Sequence, residues 1–487
     1  MGKRHIFVLL AHLACFMISV NRYSFSIILV SMIKTSPSIL PFKIKSQEIK
    51  GHHHSKYAKS NSSIRDVVEF VWSEKEQGFL KSGFFHGYTC TILFGGMISS
   101  RWSGRWVFAI GLFVASILTL LIPIAARTNY FLFYSVRVLI GVCQGLTFPG
   151  IQTVLKEWTP LNEKTTLSAI AYSGLETGTV ASLVIGGIIC QYFGWSSLCY
   201  GLGISGIIFV TIWLNFVSDS PQTHPSISNE ERQYISSSQY DEAKSLKCKE
   251  GPKVPWWEIL TSGPVWALSI GNFVHNWVYY LAIGDIPSYF HDVMNMPALE
   301  NGLKSGIPFF FSFFTQIAGS VVADLLIRKG CSVTITRKFI LSLGFLLSAI
   351  VLCLFGYVGS KNKWLSFVLL VLLVGFANVT TAGYDVNQLD IAPRYAGVIW
   401  SIKSFIGNSA GMVVGVVTGY VTNNHPTRHY YRIVFMIAAG VSMFGILFYC
   451  LFGSGTEQEW NRIADDEEDD DRADATSDQR KPLISSE

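Results

Sequence analysis

The chain has 487 residues, of which 50% are hydrophobic and 15% charged, with a net charge of +5 and a mean hydropathy of +0.36. A soluble chain of this length carries about 25% charge and folds as two or three domains, so these values exclude most soluble-enzyme readings. The small positive excess is spread along the loops and forms no surface for nucleic acid.

In chain order, the first apolar run is Ile6–Ile33, preceded by Lys3 and Arg4. It is longer than the roughly 7–15 residues of a signal-peptide core, and it contains Arg22. It therefore reads as a retained membrane helix with its N-terminus in the cytosol. A long non-cytosolic loop, 34–73, follows. It holds His52-His53-His54, read as a solvated polar tract rather than a metal site, and the sequon Asn61-Ser62-Ser63, which makes Asn61 a glycosylation candidate. Gly78–Ser99, Trp106–Ala126, Tyr130–Leu155, Leu167–Tyr192 and Ser197–Val217 each meet the roughly 20 residues a bilayer crossing needs. A polar stretch rich in Ser, Lys and Glu then opens at Ser218, and a cytosolic central loop is placed at 218–258. Six more runs follow: Leu260–Phe290, Gly306–Ile327, Phe339–Val358, Leu365–Gln388, Ala396–Tyr420 and Ile433–Phe452. A second sequon, Asn378-Val379-Thr380, lies inside an apolar run, where glycosylation is not expected.

The tail, 454–487, carries the acidic run Asp465–Asp471 and has the composition of a disordered cytosolic segment. It ends Arg480-Lys481-Pro482-Leu483-Ile484, similar to an acidic dileucine sorting signal with Gln479 in the usual place of the acid. Sorting adaptors are the partners this implies. The membrane is then endosomal, lysosomal or vesicular, with the plasma membrane as the alternative. Basic residues at Arg101, Arg105, Lys156, Lys164, Arg328, Lys329, Arg337, Lys338 and Arg394 fall on the cytosolic side of this arrangement. The nine cysteines lack paired metal-ligand spacing and are read as small buried hydrophobes; no metal site or cofactor is expected.

Two sets of six spans around a polar hinge are the pattern of the major facilitator fold: an all-α membrane protein with 12 transmembrane helices in two six-helix halves, 1–217 and 259–453. The halves echo one another. Gly95-Gly96-Met97-Ile98-Ser99-Ser100-Arg101 after the second span answers Gly319-Ser320-Val321-Val322-Ala323-Asp324 after the eighth. Such repeats place the solute site near the midplane between halves. Charges inside spans are costly and mark function. Arg22, Lys81, Arg137, His275 and Lys403 favour a negative passenger, with internal ion pairing as the other reading. Glu176 and Asp385 are candidates for binding and releasing protons, or for neutralising the cations, since a carboxylate removed from water is stabilised in its neutral form. Gly141, Gly145, Pro149 and Gly150 around Gln144 describe a bent, closely packed fourth helix.

These residues resemble the solute carrier 17 family, which includes sialin, the vesicular glutamate transporters and the type I sodium-phosphate transporters. The likeness runs from about Phe7 to Trp460. It rests on Arg22 with Ser26, Leu29 and Val30, on Arg137-Val138-Leu139 with Gln144-Gly145-Leu146-Thr147-Phe148-Pro149, and on Trp158-Thr159-Pro160. Ser218-Asp219-Ser220-Pro221-Gln222 adds to it. The most specific stretch contains Asn387, Asp390, Pro393 and Arg394. The resemblance implies transport of an organic or inorganic anion driven by protons, sodium or voltage, with Arg22 and Arg137 as substrate arginines. Gln144 stands where sialin and the glutamate carriers have a proton-coupling glutamate, and Ile140 where sialin has a second one. His275 stands for a seventh-helix arginine, Asp385 for an asparagine and Gln388 for a histidine, while Glu176 falls where glutamine is common.

The sequence thus describes a secondary active transporter of a small anion, such as an acidic sugar, acidic amino acid, urate or phosphate. Arg22, Arg137, His275 and Gln144 are its candidate binding residues, and H+ or Na+ its candidate co-transported ion. An anion channel and a non-transporting sensor on the same scaffold are the alternatives. No phosphate-cradling loop or nucleophile–base set indicates an enzyme.

Overall fold

A computed structural model describes residues 2–33, 69–160, 163–236, 254–359, 362–423 and 426–461. The sequon at Asn61, the histidine tract and the tail beyond residue 461 lie outside these residues. The first half contains α1 (Lys3–Met32), α2 (Glu74–Arg101), α3 (Gly104–Thr128), α4 (Tyr130–Trp158), α5 (Lys164–Phe193) and α6 (Trp195–Phe216). In the second half, α7 runs Gly263–Tyr280, passes through a π-helical turn at Leu281–Asp285 and ends as Ile286–Asp292. It is followed by α8 (Ala298–Arg328), α9 (Val333–Phe355), α10 (Lys363–Val379), α11 (Ala396–Thr422) and α12 (Arg428–Phe452). The tenth span, read from sequence as one run, breaks after Val379 into the short turns Thr381–Tyr384 and Asn387–Ile391.

Ten of these spans are long and apolar enough to cross a membrane by composition; α2 and α7 are not among them. In α2 the charges lie at the two ends and at Lys81, and the uncharged stretch 82–99 is diluted by Gly, Ser, Thr, Tyr and His residues. Lys81 is tolerated because α2 is packed between α4 and, across the halves, α11, rather than presented wholly to lipid.

The chain alternates between two faces, here the terminal face, where α1 begins and α12 ends, and the distal face. Helix ends on the terminal face are tied down by carboxylates from the connections. Glu231 accepts the backbone N–H groups of Lys3 (2.9 Å) and Arg4 (3.0 Å) at the start of α1. Asp219 accepts Ser103 Oγ (2.6 Å) and the Arg105 N–H (3.0 Å) at the start of α3. Both satisfy orphan donors and complement the helix dipole. The Ser218-Asp219 motif is therefore a capping device, and the Ser218 carbonyl also accepts Trp158 Nε1 at 2.8 Å. On the distal face a capping box of Ser73 and Glu76 starts α2.

Small residues let backbones meet. Within the first half, an added Cβ at Gly141 would overlap the Phe84 carbonyl, and at Gly87 that of Val138. Across the halves, Gly78 faces Gly415 and Gly419 between α2 and α11, and Gly187 faces Gly302 between α5 and α8. The distal ends of the two halves are thereby closed against each other. Nearer the terminal face the rings of Phe148 and Trp400 meet across the halves, 6.2 Å apart.

Because α4 and α2 touch through backbone at Gly141, we expect Gly141→Val to force these helices apart. Such overpacking typically costs about 1–3 kcal/mol or more, read as loss of the monodisperse peak or a lowered thermal midpoint in detergent. An unchanged midpoint would show that the contact relaxes freely.

Candidate functional site

The site is assembled from α1, α2, α4 and α5 of one half and α7, α8, α11 and the broken tenth span of the other. Arg22 lies in the second half of α1. Its guanidinium carbon is 4.2 Å from the centre of the Tyr88 ring, 5.1 Å from Phe84 and 5.8 Å from Tyr23. Arg137, 3% exposed, lies 3.6 Å over Phe25 and 5.6 Å from Phe84. Phe84 is thus shared by both cations. Neither arginine forms an ion pair among the described residues, and the Nε of each is buried without a hydrogen-bond partner.

Magnitudes decide how to read this. An arginine at a helix centre costs roughly 2.5–3.5 kcal/mol on insertion scales, so two cost roughly 5–7. A ring beneath a cation returns about 0.5–2 kcal/mol but accepts no conventional hydrogen bond from Nε. The aromatic shell lowers the cost of the charges and leaves their strongest bonds unmade.

Two cavities meet at Arg22. The smaller, about 40 Å³, has room for a few water molecules. It is lined by Arg22, Arg137, Lys81 and Asp285 together with Phe25, Phe84 and Tyr280. The larger, about 200 Å³, lies between the halves and is lined by Arg22, Glu176, His275, Asn276, Tyr279, Gln316, Asn378 and Thr381, among others. Arg22, Arg137, Glu176 and His275 thus all line the two chambers around α1.

Three candidates stand apart in their surroundings. Gln144 is fully buried and lines neither cavity; both polar atoms of its side chain lack a partner. Its position in the family pattern indicated a lining role, but the side chain is enclosed elsewhere. His275 is not a ready cation. Its Nδ1 lies 3.1 Å from the Ala377 carbonyl, which can only accept, so Nδ1 carries a hydrogen. In the neutral ring Nε2 is then a lone pair, and only a second proton would make the ring an anion ligand. Asp385 lines neither cavity. It is paired with Lys403, and its carboxylate is half exposed near the terminal end of α10. Glu176, by contrast, lines the larger cavity with Oε2 buried and unpartnered.

The stretch Asn387–Arg394 builds the broken end of α10. Asn387 Nδ2 donates to Tyr449 Oη (2.9 Å) and to the Ser454 carbonyl (2.8 Å), and Tyr449 donates to the Gly383 carbonyl (2.9 Å). Asp390 binds Arg337 Nε at 2.9 Å, and Arg337 also donates to the Ala382 carbonyl at 2.8 Å. Pro393 is exposed in the following turn, with Arg394 partly buried beside it. These residues satisfy the backbone freed where α10 breaks and touch neither cavity. Residues that the sequence reading missed include Tyr23, Tyr279, Tyr280, Asn276 and Gln316. Polar groups and tyrosines recurring in apolar runs were their only signal. Asn378, dismissed as an improbable sequon, lines the larger cavity.

Comparison with known proteins agrees with this architecture. The Major Facilitator Superfamily model matches residues 11–379. Vesicular glutamate transporter 3 of Danio rerio is 35% identical over 402 residues, covering 82% of this chain and 68% of that one. Vesicular glutamate transporter 2 of Homo sapiens is 36% identical over 406 residues, covering 83% and 69%. Among solved structures, an inward-facing, unoccupied bacterial homolog of the human lysosomal transporter Spinster superposes with a TM-score of 0.68. It is 13% identical and covers 93% of this chain and 97% of that one. A D-xylose–proton symporter superposes at 0.64, with 14% identity and coverage of 92% and 97%. At those identities the likeness to the solved structures is one of fold.

Since Asn387 works through two donated bonds, Asn387→Asp removes a donor and turns a carboxylate toward the Ser454 carbonyl. We expect a thermal midpoint lower by several degrees, as for an orphaned buried group costing about 1–3 kcal/mol. Retention of the parent midpoint would show that these bonds carry no stability.

Proposed function

This chain belongs to the major facilitator superfamily and, within it, to the solute carrier 17 family, and on that premise we propose that Arg22 and Arg137 hold the anion that this secondary active transporter carries. The observation behind the reading is a pair of buried guanidiniums, sharing one cavity and one aromatic wall, with no carboxylate within ion-pair distance of either among the described residues. A passenger's carboxylate or phosphate supplies the missing charge and accepts the unused N–H groups. The larger cavity offers amides and hydroxyls beside Arg22. That lining suits an organic anion with several polar groups, an acidic amino acid or acidic sugar, better than bare phosphate. The relatives named above are glutamate transporters, which makes L-glutamate the first solute to test. The membrane we assign is endosomal, lysosomal or vesicular.

For coupling, Glu176 is the better proton site of the two carboxylates. It shares the larger cavity with Arg22, has a free oxygen and has no basic partner within ion-pair distance among the described residues. Asp385 is held by Lys403. Protonation of Glu176 removes a negative charge from the chamber into which an anion must come, so loading of proton and anion favour one another. Voltage is the remaining drive: 100 mV is worth about 2.3 kcal/mol per charge, or roughly 50-fold accumulation.

Uptake of labelled L-glutamate, N-acetylneuraminate, urate and phosphate into proteoliposomes tests this, with pH, sodium and voltage set separately. We expect saturable uptake of one anion, reduced at least about 30-fold in Arg22→Ala, since losing a bond to a buried charge costs about 2 kcal/mol or more. Arg22→Lys is expected to recover little, lacking the planar fork. Flux that rises linearly with the gradient and never saturates would replace the carrier with a channel. Wild-type uptake by Arg22→Ala would end the assignment of this residue.

For the coupling site, uptake at an imposed pH gradient separates the carboxylates. Glu176→Gln is expected to lose the acceleration by acid on the loading side, and Asp385→Asn to keep it. Full pH dependence in Glu176→Gln would exclude that site.

A further inference from the structure

The smaller cavity holds three basic side chains and one acid, Asp285. Lys81 Nζ donates to Asp285 Oδ1 (2.8 Å) and to Ser288 Oγ (2.9 Å), and Thr418 Oγ1 donates to Asp285 Oδ2 at 3.1 Å. The side chains of Lys81 and Asp285 are only 12% and 2% exposed. Lys81 belongs to α2 of the first half, whereas Asp285 and Ser288 are on α7 and Thr418 on α11 of the second. Each bond made by the ammonium therefore crosses the seam between halves.

Burying two charges costs several kcal/mol per ion unless hydrogen bonds complete the pair. Here Ser288 and Thr418 complete it. Asp285 also ends the π-helical turn of α7. Such a turn inserts one extra residue and re-aims the side chains around it, and is frequent at functional sites. Beside the pair, the α2–α11 seam is closed by Gly78 against Gly415 and Gly419, which is contact without charge.

We propose that Lys81 and Asp285 form the gate bond of the distal face, with Asp285 as a built-in counter-anion. It holds Lys81 while the face is closed. Parting α2 from α7 strips it away and leaves Lys81 as a third cation beside Arg22 and Arg137. The proposal rests on the reading above of a secondary active anion carrier, here taken to open to one face at a time, but its test needs no transported solute, so each can fail without the other. Leu183, fully buried in α5 against Gly302 and Gly306 of α8, is a reporter of the same seam away from the ion pair.

The full chain carrying Leu183→Cys is placed in nanodiscs and labelled with a membrane-impermeant maleimide, subtracting the signal of the chain without that substitution. Lys81→Met/Asp285→Asn removes the pair without leaving a lone buried charge. It is expected to label about tenfold faster, as the distal-open population grows. The exchange Lys81→Asp/Asp285→Lys restores a pair and is expected to return the rate to within about twofold of the parent. Unchanged labelling in the neutral double variant, or an exchange variant that labels as fast as the neutral one, would overturn the proposal.

Discussion

Two guanidinium groups set in apolar helices without a carboxylate of their own constrain the rest of this molecule. Lipid cannot solvate them, so α1 and α4 must turn them inward, toward aromatic faces and a polar chamber. Phe25, Phe84 and Tyr88 form that support. To bring Phe84 between the two arginines, α2 must lie against α4 at backbone distance, which is where Gly87 and Gly141 stand. The glycines of the packing and the charges of the site are therefore one requirement: a bulkier helix contact would move the aromatic wall away from the cations it supports.

That dependence explains which parts were legible in the sequence. Span count and the two-half organisation follow from run length, and Arg22 and Arg137 announce themselves as charges in apolar surroundings. Geometry between distant residues does not show in this way. Lys81 stands out as a charge in a span, but its pairing with Asp285 joins positions 204 apart in the chain. Gln144 was given a binding role by its place in a family pattern, and the fold encloses it away from both chambers. The break in α10 was hidden because Leu365–Gln388 is apolar enough to read as one helix, while the groups that stabilise the break, Arg337 and Tyr449, come from neighbouring helices.

The most recognisable motifs turn out to belong to the scaffold. Asp219 caps α3, Asp390 holds Arg337, and Asn387 ties α10 to the end of α12. All lie on the terminal face, where short connections have to secure helix ends. A capping side chain answers to local geometry, because it must accept from a fixed backbone N–H. The cavity lining, by contrast, is a mixture of tyrosines, amides and hydroxyls that answers to the solute rather than to the frame. Strong motif likeness in such a chain therefore identifies the frame and says little about the passenger.

The distal seam must be firm enough to close and weak enough to open. In a bilayer, helix association gains little from hydrophobic burial and depends on close packing and polar contacts. The glycine contacts between α2 and α11, and between α5 and α8, supply packing that can be made and unmade without leaving an unsatisfied side chain. The Lys81–Asp285 pair differs: separating it uncovers two charges at once, so opening requires water or a negative solute to meet the ammonium. A passenger that brings its own charge lowers that cost on the lysine side, while Ser288 and Thr418 remain beside Asp285 in the second half. Differential binding of this kind is the only means by which a solute can shift a two-state equilibrium. An anion site backed by an internal acid provides it without any further moving part.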